Sequence, residues 1–165
     1  MTIESDAIDY YRNRPRDRAA AEVLRALVGV VGEHAESAQL RSLAFESGRI
    51  LARWHPLPEC ATLAEFEQAA DSAFREADWG TLRAEPEGGE IVFVHGAPPL
   101  QAWFGADHGV WSEGLFEGIL AEWLQHLGAG DTLDVRSVDS DDGHSLRYRF
   151  AHRSHFAAAA RETKA

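Results

Sequence analysis

Two pairs of short alternating segments, each joined by a turn-forming tetrapeptide, constrain the fold more than any other feature of the sequence. Apolar and polar residues alternate along all four segments, with a period of two. The segments are 81–85 with 90–95 around Pro86-Glu87-Gly88-Gly89, and 132–139 with 144–152 around Ser140-Asp141-Asp142-Gly143. Such alternation on both sides of a glycine-containing turn is typical of a β-hairpin. The chain is therefore predicted to contain two hairpins and an antiparallel sheet.

Four segments with apolar residues at helical spacing account for most of the remaining chain. They cover about 17–32, about 37–53, a stretch that begins at Thr62, and about 112–127. Thr62 and Glu65 form a capping box, which marks the N-terminus of a helix. Pro56 and Pro58 end the second helix because neither can donate a backbone hydrogen bond. Gly48 lies in the middle of that helix and is expected to weaken it by up to about 1 kcal/mol relative to alanine.

The order of these elements predicts an α+β fold. Three N-terminal helices are followed by a β-hairpin, a helix and a second hairpin, and the antiparallel sheet packs on the helices. A chain of 165 residues is long enough for one domain with an ordinary core. We expect a flexible N-terminal segment at 1–16, a single domain at 17–152 and a tail at 153–165. The stretch from Pro98 to Phe104 is expected to be a loop.

Composition and charge exclude several classes of protein. The net charge of −11 argues against binding to nucleic acid, which requires a basic surface. Cys60 is the single cysteine, so an intrachain disulfide and a cysteine-rich zinc site are excluded. No apolar run approaches the roughly 20 residues that a transmembrane helix needs. The acidic N-terminus lacks the features of a secretory signal, so a cytoplasmic location is expected and a periplasmic one is less favoured.

No motif in the sequence identifies a catalytic centre. Cys60 and His95 could form a nucleophile and a base, but acidic neighbours disfavour the thiolate, and a packed structural cysteine is the preferred interpretation. The stretch that begins at Asp139 resembles a calcium-binding loop only superficially, because its sixth position is His144 instead of glycine. Phosphate-binding glycine loops and nucleophile elbows are missing from the sequence. We expect a protein that is not an enzyme, with no metal and no other cofactor.

A group of aromatic and basic side chains near the N-terminus could contact a polar polymer. Tyr10, Tyr11, Arg12 and Arg14 lie together in a polar segment. Rings that stack and guanidinium groups that donate hydrogen bonds suit a polymer such as a glucan. The alternative interpretation, that these side chains dock the N-terminus onto the body of the protein, is favoured on general grounds.

The fourth helical segment carries an apolar stripe that is broader than one sheet face requires. Leu115, Phe116, Ile119 and Trp123 are its central members. A helix that covers a single surface usually shows a narrower stripe. These four residues are therefore predicted to form part of an interface between copies of the chain.

Residues spread over 37–150 resemble a known family in their order and spacing. The pattern begins with Gly48-Arg49 and Ala52-Arg53, followed by a proline–leucine turn that ends in Cys60. It continues with Thr62-Leu63, Glu67, Trp79-Gly80, Leu82, His95, Pro99-Leu100, Leu115, Glu117-Gly118, Trp123-Leu124 and Leu127-Gly128-Ala129. On these residues the chain resembles the D subunit of the bacterial cellulose synthase operon, and the resemblance weakens towards both ends of the chain.

The resemblance implies a non-catalytic accessory protein that promotes cellulose production and the bundling of glucan chains. It implies dimers that assemble into a ring-shaped octamer, whose passages hold separate glucan chains and are lined partly by N-terminal segments. The implied partners are the cellulose synthase catalytic complex, other products of the operon and the glucan itself. The passage-lining residues of the family cannot be matched here one by one. Glucan contact by Tyr10, Tyr11, Arg12 and Arg14 is therefore a hypothesis of our own.

A second class of protein remains open. The run 113–120, followed by a glycine and a hairpin, is also similar to the small-molecule sensor domains named after 4-vinyl reductase. Those domains often carry cysteines after this helix, and this chain has none there. The leading hypothesis is a structural homo-oligomer, and the alternative is a small-molecule sensor module.

Overall fold

Helices and one antiparallel sheet make up the computed structural model, which describes residues 18–106, 108–139 and 144–156. The first half contains α1 (Arg18–Gly32), α2 (Ser37–Trp54), α3 (Leu63–Glu76), β1 (Thr81–Glu87) and β2 (Glu90–Gly96). The second half contains α4 (Leu100–Phe104), a 3-10 turn (Val110–Glu113), α5 (Gly114–His126), β3 (Leu133–Val138) and β4 (Ser145–His152). The predicted α+β class is confirmed. The division into segments 1–16, 17–152 and 153–165 stays a prediction.

Both predicted hairpins are present, and they join into a four-stranded sheet. The strand order is β1-β2-β4-β3, and all three pairings are antiparallel. Gly88 and Gly89 connect β1 to β2 with φ values of 60° and 87°. A two-residue turn of this hand matches the twist of the strands, and glycine adopts it without strain. The turn of the second hairpin, at 140–143, lies outside the described residues.

The helix boundaries follow the signals in the sequence. The capping box is formed: the Glu65 backbone N–H donates to Thr62 Oγ1 at 3.2 Å, and Glu65 Oε2 accepts from the Thr62 N–H at 3.1 Å. The loop expected after Pro98 is wrong in part, because Leu100–Phe104 forms the short helix α4 directly after Pro99. Proline is compatible with that position because the first N–H groups of a helix have no intrahelical acceptor.

The core lies between one face of the sheet and the helices α2, α3 and α5. Phe74, Phe93, Phe116 and Tyr148 are fully buried there. The ring centroids of Phe74 and Phe116 are 5.5 Å apart, and those of Phe116 and His95 are 4.2 Å apart. Aromatic side chains from two helices and a strand thus meet at one point, and the contacts fix α3 and α5 against β2.

Three glycines allow the backbones of α2 and α5 to touch. A Cβ atom at Gly48 would lie 1.9 Å from the Leu115 carbonyl oxygen, and one at Gly118 would lie 2.0 Å from the Phe45 carbonyl oxygen. At Gly114 the nearest atom, the Arg41 carbonyl oxygen, would be 2.8 Å away. Real Cβ atoms do not approach so closely, so any side chain here would force the helices apart. Gly48 therefore has a packing role that outweighs its low helix propensity.

Carboxylates of the helices cover the outer strands of the sheet. On β1, the Leu82 N–H donates to Asp71 at 2.9 Å and the Ala84 N–H donates to Glu67 at 3.1 Å. On β3, the Ser137 N–H donates to Glu117. Unpaired N–H groups on edge strands are a template for pairing with other chains. These three carboxylates thus reduce the tendency of the sheet to extend into a second molecule.

Replacing Gly118 with alanine tests the close contact between α2 and α5. We expect Gly118→Ala to lower the free energy of unfolding by at least about 2 kcal/mol, because the new methyl group collides with backbone. The matched control is Gly29→Ala in α1, where a Cβ would meet nothing within 4 Å. That change should raise stability by up to about 1 kcal/mol, because alanine favours the helix. Urea denaturation measures both, and equal effects would contradict the packing role.

Candidate functional site

An open apolar groove separates α1 from α2 and is the candidate functional site. Its volume is about 580 Å³. The side chains that line it come from α1, α2, α4, the 3-10 turn and α5, and Ser47 is the one hydroxyl-bearing residue among them. They are Leu24, Leu27, Val28, Val31, Leu40, Leu43, Ala44, Ser47, Ile50, Leu51, Trp54, Trp79, Trp103, Phe104, Trp111 and Leu115. Such a lining suits an apolar partner surface better than a polar ligand.

Helix α1 forms one wall of the groove and touches the body of the protein mainly at α4. Arg25 donates from Nε and Nη2 to the Ala102 carbonyl oxygen, at 2.9 and 2.5 Å. This forked contact holds one side of α1 against α4. The side of α1 that faces α2 is left open, which is why the groove exists.

The opposite wall, on α2, exposes large apolar side chains. Trp54 is 71% exposed, Leu43 56% and Ile50 41%. These residues are spaced by seven and four positions along α2, so they lie on one side of the helix. Single exposed apolar residues are common on proteins, but a continuous row that borders an apolar groove is typical of an interaction site.

Aromatic side chains close one end of the groove. The ring centroids of Phe104 and Trp111 are 5.3 Å apart, and those of Trp103 and Phe104 are 6.3 Å apart. Trp103 also stacks on Phe116 of the core, with ring centroids 6.1 Å apart and an angle of 20° between the planes. The end wall is therefore packed onto the core and is a firm surface.

A buried ion pair lies where α2 crosses α5. Arg41 of α2 donates from Nη2 to Glu117 Oε1 of α5 and, at 3.0 Å, to the Ser137 hydroxyl of β3. Its Nη1 donates to the Val110 carbonyl oxygen at 3.1 Å. The Glu117 side chain is 1% exposed, and the Arg41 side chain is 28% exposed. One guanidinium group thus links α2 to the 3-10 turn, to α5 and to β3.

Two neighbours of this pair have shifted ionisation. Burial raises the pKa of Glu113, while its hydrogen bond with Ser137 and the charge of Arg41 act in the opposite direction. Burial raises the pKa of Tyr148 well above its usual value, and the negative charges of Glu113 and Glu117 raise it further. Perturbed groups of this kind can mark an active site. Here they surround a carboxylate already held by Arg41 and Ser137, and the arrangement anchors the helices to β3.

His95 is a core residue. Its ring is fully buried, and Nε2 donates to the Trp79 carbonyl oxygen at 2.6 Å. Burial lowers the pKa of His95 to about 4, and the hydrogen bond to Trp79 opposes that shift in part. The imidazole is therefore neutral at pH 7. Nδ1 has no hydrogen-bond partner among the described residues.

The side chains considered for catalysis are not assembled into a reacting group. The Cys60 thiol donates to the Pro58 carbonyl oxygen at 3.2 Å, whereas His95 Nε2 is engaged by Trp79. Among residues 18–106, 108–139 and 144–156, no three His, Cys, Asp or Glu side chains are grouped so that they could hold a metal ion. In the same part of the chain, no helix is both long enough and apolar enough to cross a membrane.

The predicted site residues fall into two groups. Tyr10, Tyr11, Arg12 and Arg14 lie outside the described residues, so glucan contact there stays a prediction. The four predicted interface residues, Leu115, Phe116, Ile119 and Trp123, are 5%, 0%, 0% and 3% exposed.

The predicted interface on α5 needs a correction in its reasoning. The broad apolar stripe is filled by contacts within the chain, because α5 packs against α2 on one side and against β3 on another. The Trp123 indole N–H, for example, donates to the carbonyl oxygens of Ala52 and His55. Leu115 alone reaches the groove. The breadth of the stripe is therefore no argument for a second copy on α5, and the exposed apolar surface is on α1 and α2.

Sequence reasoning missed the importance of Arg41 and of the spacing between Gly114 and Gly118. Two glycines four residues apart lie on the same side of a helix, and this spacing was the available signal for close helix packing. Arg41 had no local signal, because its partner Glu117 is 76 positions away in the sequence.

The fold and the groove define a small α+β domain that presents an apolar binding surface, with its buried ionisable groups committed to holding the fold. The model of the family of cellulose synthase D subunits matches residues 6–150. The chain belongs to this cellulose synthase family, and its role is accordingly in cellulose synthesis. No curated protein matches the chain.

Replacing Arg41 tests the buried ion pair. We expect Arg41→Met to lower the free energy of unfolding by about 3–5 kcal/mol, because the Glu117 carboxylate would remain buried without its cation. Adding Glu117→Gln should restore much of the loss, since a neutral amide can still accept from the Ser137 N–H. Arg75→Met is the matched control, because Arg75 pairs with Asp71 on an exposed helix surface and should cost less than about 1 kcal/mol.

The pH dependence of stability tests the burial of His95. The unfolded pKa is about 6.5 and the folded pKa is about 4, so this contribution is complete above pH 6.5 and is lost as the pH falls towards 4. Between pH 7.5 and pH 5 the loss should reach about 2 kcal/mol. His95→Gln should remove that part of the slope while lowering stability at every pH. Urea titrations of both proteins give the difference, and parallel curves would contradict the assignment.

Proposed function

We propose that this protein is a non-catalytic accessory component of bacterial cellulose biosynthesis. In this proposal it forms dimers that assemble into a ring-shaped octamer, and the ring guides nascent β-1,4-glucan chains for export and bundling. The match of the family model to residues 6–150 is the observation that carries the proposal. The cellulose synthase catalytic complex and other cellulose operon proteins are its proposed partners.

The distribution of chemistry in the fold supports a role through shape. The ionisable groups with the largest perturbations, His95, Glu113 and Tyr148, are inside the domain and contact core or backbone groups. The surface offers instead an apolar groove that suits association between protein chains. A ring built by such association would guide a polymer through many weak contacts, each on the order of 1 kcal/mol, without trapping it.

Direct glucan contact is assigned to Tyr10, Tyr11, Arg12 and Arg14. These residues precede α1, and α1 stands away from α2 on the open side of the groove. Tyrosine rings can stack on the apolar faces of sugar rings, and arginine can donate hydrogen bonds to hydroxyl groups. The four residues therefore provide the kind of contacts that a sliding glucan chain requires.

The sensor alternative receives less support from the groove. Its volume of about 580 Å³ is within the range of small-molecule sites. Such sites, however, usually contain several polar groups that fix the orientation of a ligand. The lining of this groove is apolar apart from Ser47 and the indole N–H groups, and it is open to solvent.

Replacing the two N-terminal tyrosines tests the glucan contact. We expect Tyr10→Ala with Tyr11→Ala to weaken binding of soluble cello-oligosaccharides roughly 30-fold, because two ring contacts of about 1 kcal/mol each are lost. Isothermal titration calorimetry on the full chain measures the affinity. Asp6→Ala with Asp9→Ala is the matched control in the same segment and should leave the affinity unchanged or slightly raise it.

Sedimentation velocity tests the ring. At micromolar concentration the wild-type chain should sediment as a species much larger than a dimer. A monomer or a plain dimer at every concentration would refute the ring, and unchanged sugar affinity in the tyrosine variant would refute the assignment of the contact.

A further inference from the structure

Helix α1 is apolar around more of its circumference than a helix with one buried face. At 100° per residue, the positions from Val30 round to Val28 span about 160°, compared with about 100° for an ordinary surface helix. Leu24 and Val28 lie on the part of this arc that faces the groove. The rest of the arc points outward, so contacts within the described chain do not account for it.

The outward part of α1 forms a regular stripe. Val23, Leu27 and Val30, which we call the α1 stripe, are spaced by four and three positions and are each 61% exposed. The groove beside the stripe has an equally exposed wall on α2, where Trp54 is 71% exposed. Helix stripe and groove are therefore adjacent, both are uncharged, and both are open in the single chain.

We infer that a second copy of this chain covers both surfaces, with the α1 stripe of each copy packed into the groove of the other. A projecting apolar stripe and an apolar groove on the same molecule are complementary, so two copies related by a two-fold axis satisfy both at once. The inference deepens the proposed function and rests on its self-association. It moves the contact from α5 to α1 and α2.

Charge favours this surface over others for contact between identical chains. Each copy carries a net charge of −11, so copies repel one another over most of their surfaces. The lining of the groove and the α1 stripe contain no charged side chain. Two copies can thus approach here without bringing acidic side chains together in a dry interface, which would be costly.

The N-terminal segment of the same chain is a poorer occupant. Residues 1–17 lead directly into α1 and include the acids Glu4, Asp6, Asp9 and Asp17. If this segment filled the groove of its own chain, the α1 stripe would remain exposed on the outer side of the helix. A second copy leaves neither surface open.

Charged substitutions in the α1 stripe test the inference on the full chain. We expect Val23→Glu with Leu27→Glu to raise the dissociation constant between copies by at least about 100-fold, because each carboxylate would have to lose its water in the contact. Sedimentation equilibrium measures the constant. Circular dichroism should be unchanged, because both side chains are exposed and outside the core. The matched control is Val110→Glu, at a residue that is 64% exposed and does not line the groove. It should associate like the wild type.

Hydrogen exchange at several protein concentrations gives a second measurement. Peptides from α1 and from the exposed side of α2 should become more protected as concentration rises, whereas α5 should be protected throughout. Wild-type association by the double variant would overturn the inference. So would a truncation of residues 1–16 that exposes α1 and α2 to exchange without changing the oligomeric state.

Failure of the inference and failure of the proposed function are distinguishable. If the double variant dissociates but neither it nor the wild type affects cellulose output in a host that lacks its own member of this family, the contact stands and the proposed function fails. If cellulose output depends on the protein while the double variant still associates, the proposed function stands and the contact is elsewhere.

Discussion

The direct backbone contact between α2 and α5 is the constraint on which the rest of the structure depends. Gly48, Gly114 and Gly118 remove the side chains that would otherwise keep the two helices a full diameter apart. At this short distance Arg41 on α2 reaches Glu117 on α5, and Glu117 in turn reaches the Ser137 N–H on β3. The ion pair therefore depends on the glycines, and the position of the outer strand depends on the ion pair.

A consequence of this arrangement is that the interior uses up the chemistry that the sequence offers. Glu117, His95 and Tyr148 would be candidates for catalysis if they lined a cleft, yet all three are fully buried. His95 connects β2 to the end of α3 through Trp79, and Glu117 connects two helices to β3. Buried polar contacts of this kind specify one arrangement of a core, because an alternative packing would leave them unpaired. The residues Trp79-Gly80, His95 and Glu117-Gly118, which carry the family resemblance, are thus explained by the fold.

Much of the fold could be predicted from the sequence because its signals are local. The two hairpins follow from alternation and from Gly88-Gly89, and the start of α3 follows from Thr62 and Glu65. The groove could not be predicted in the same way. Helices α1 and α5 both show apolar stripes that are too broad for one buried face, and the breadth of a stripe does not reveal what covers it. On α5 the cover is α2 and the sheet, whereas on α1 much of the arc is left open. Arg41 and Glu117 are 76 positions apart, so their pairing required the tertiary structure.

The contrast between α5 and α1 also indicates how a small domain of this kind can act in polymer synthesis. Because the core is closed by α5, the domain keeps its shape while α1, which is held mainly by Arg25 and α4, remains available for contact with other molecules. Carboxylates from Glu67, Asp71 and Glu117 occupy N–H groups on the outer strands, so association by strand pairing is disfavoured. Growth through the sheet edges would produce an open fibre, while contact through a helix and a groove can close by symmetry. The same carboxylates that stabilise the monomer therefore direct its association towards the apolar face on α1 and α2.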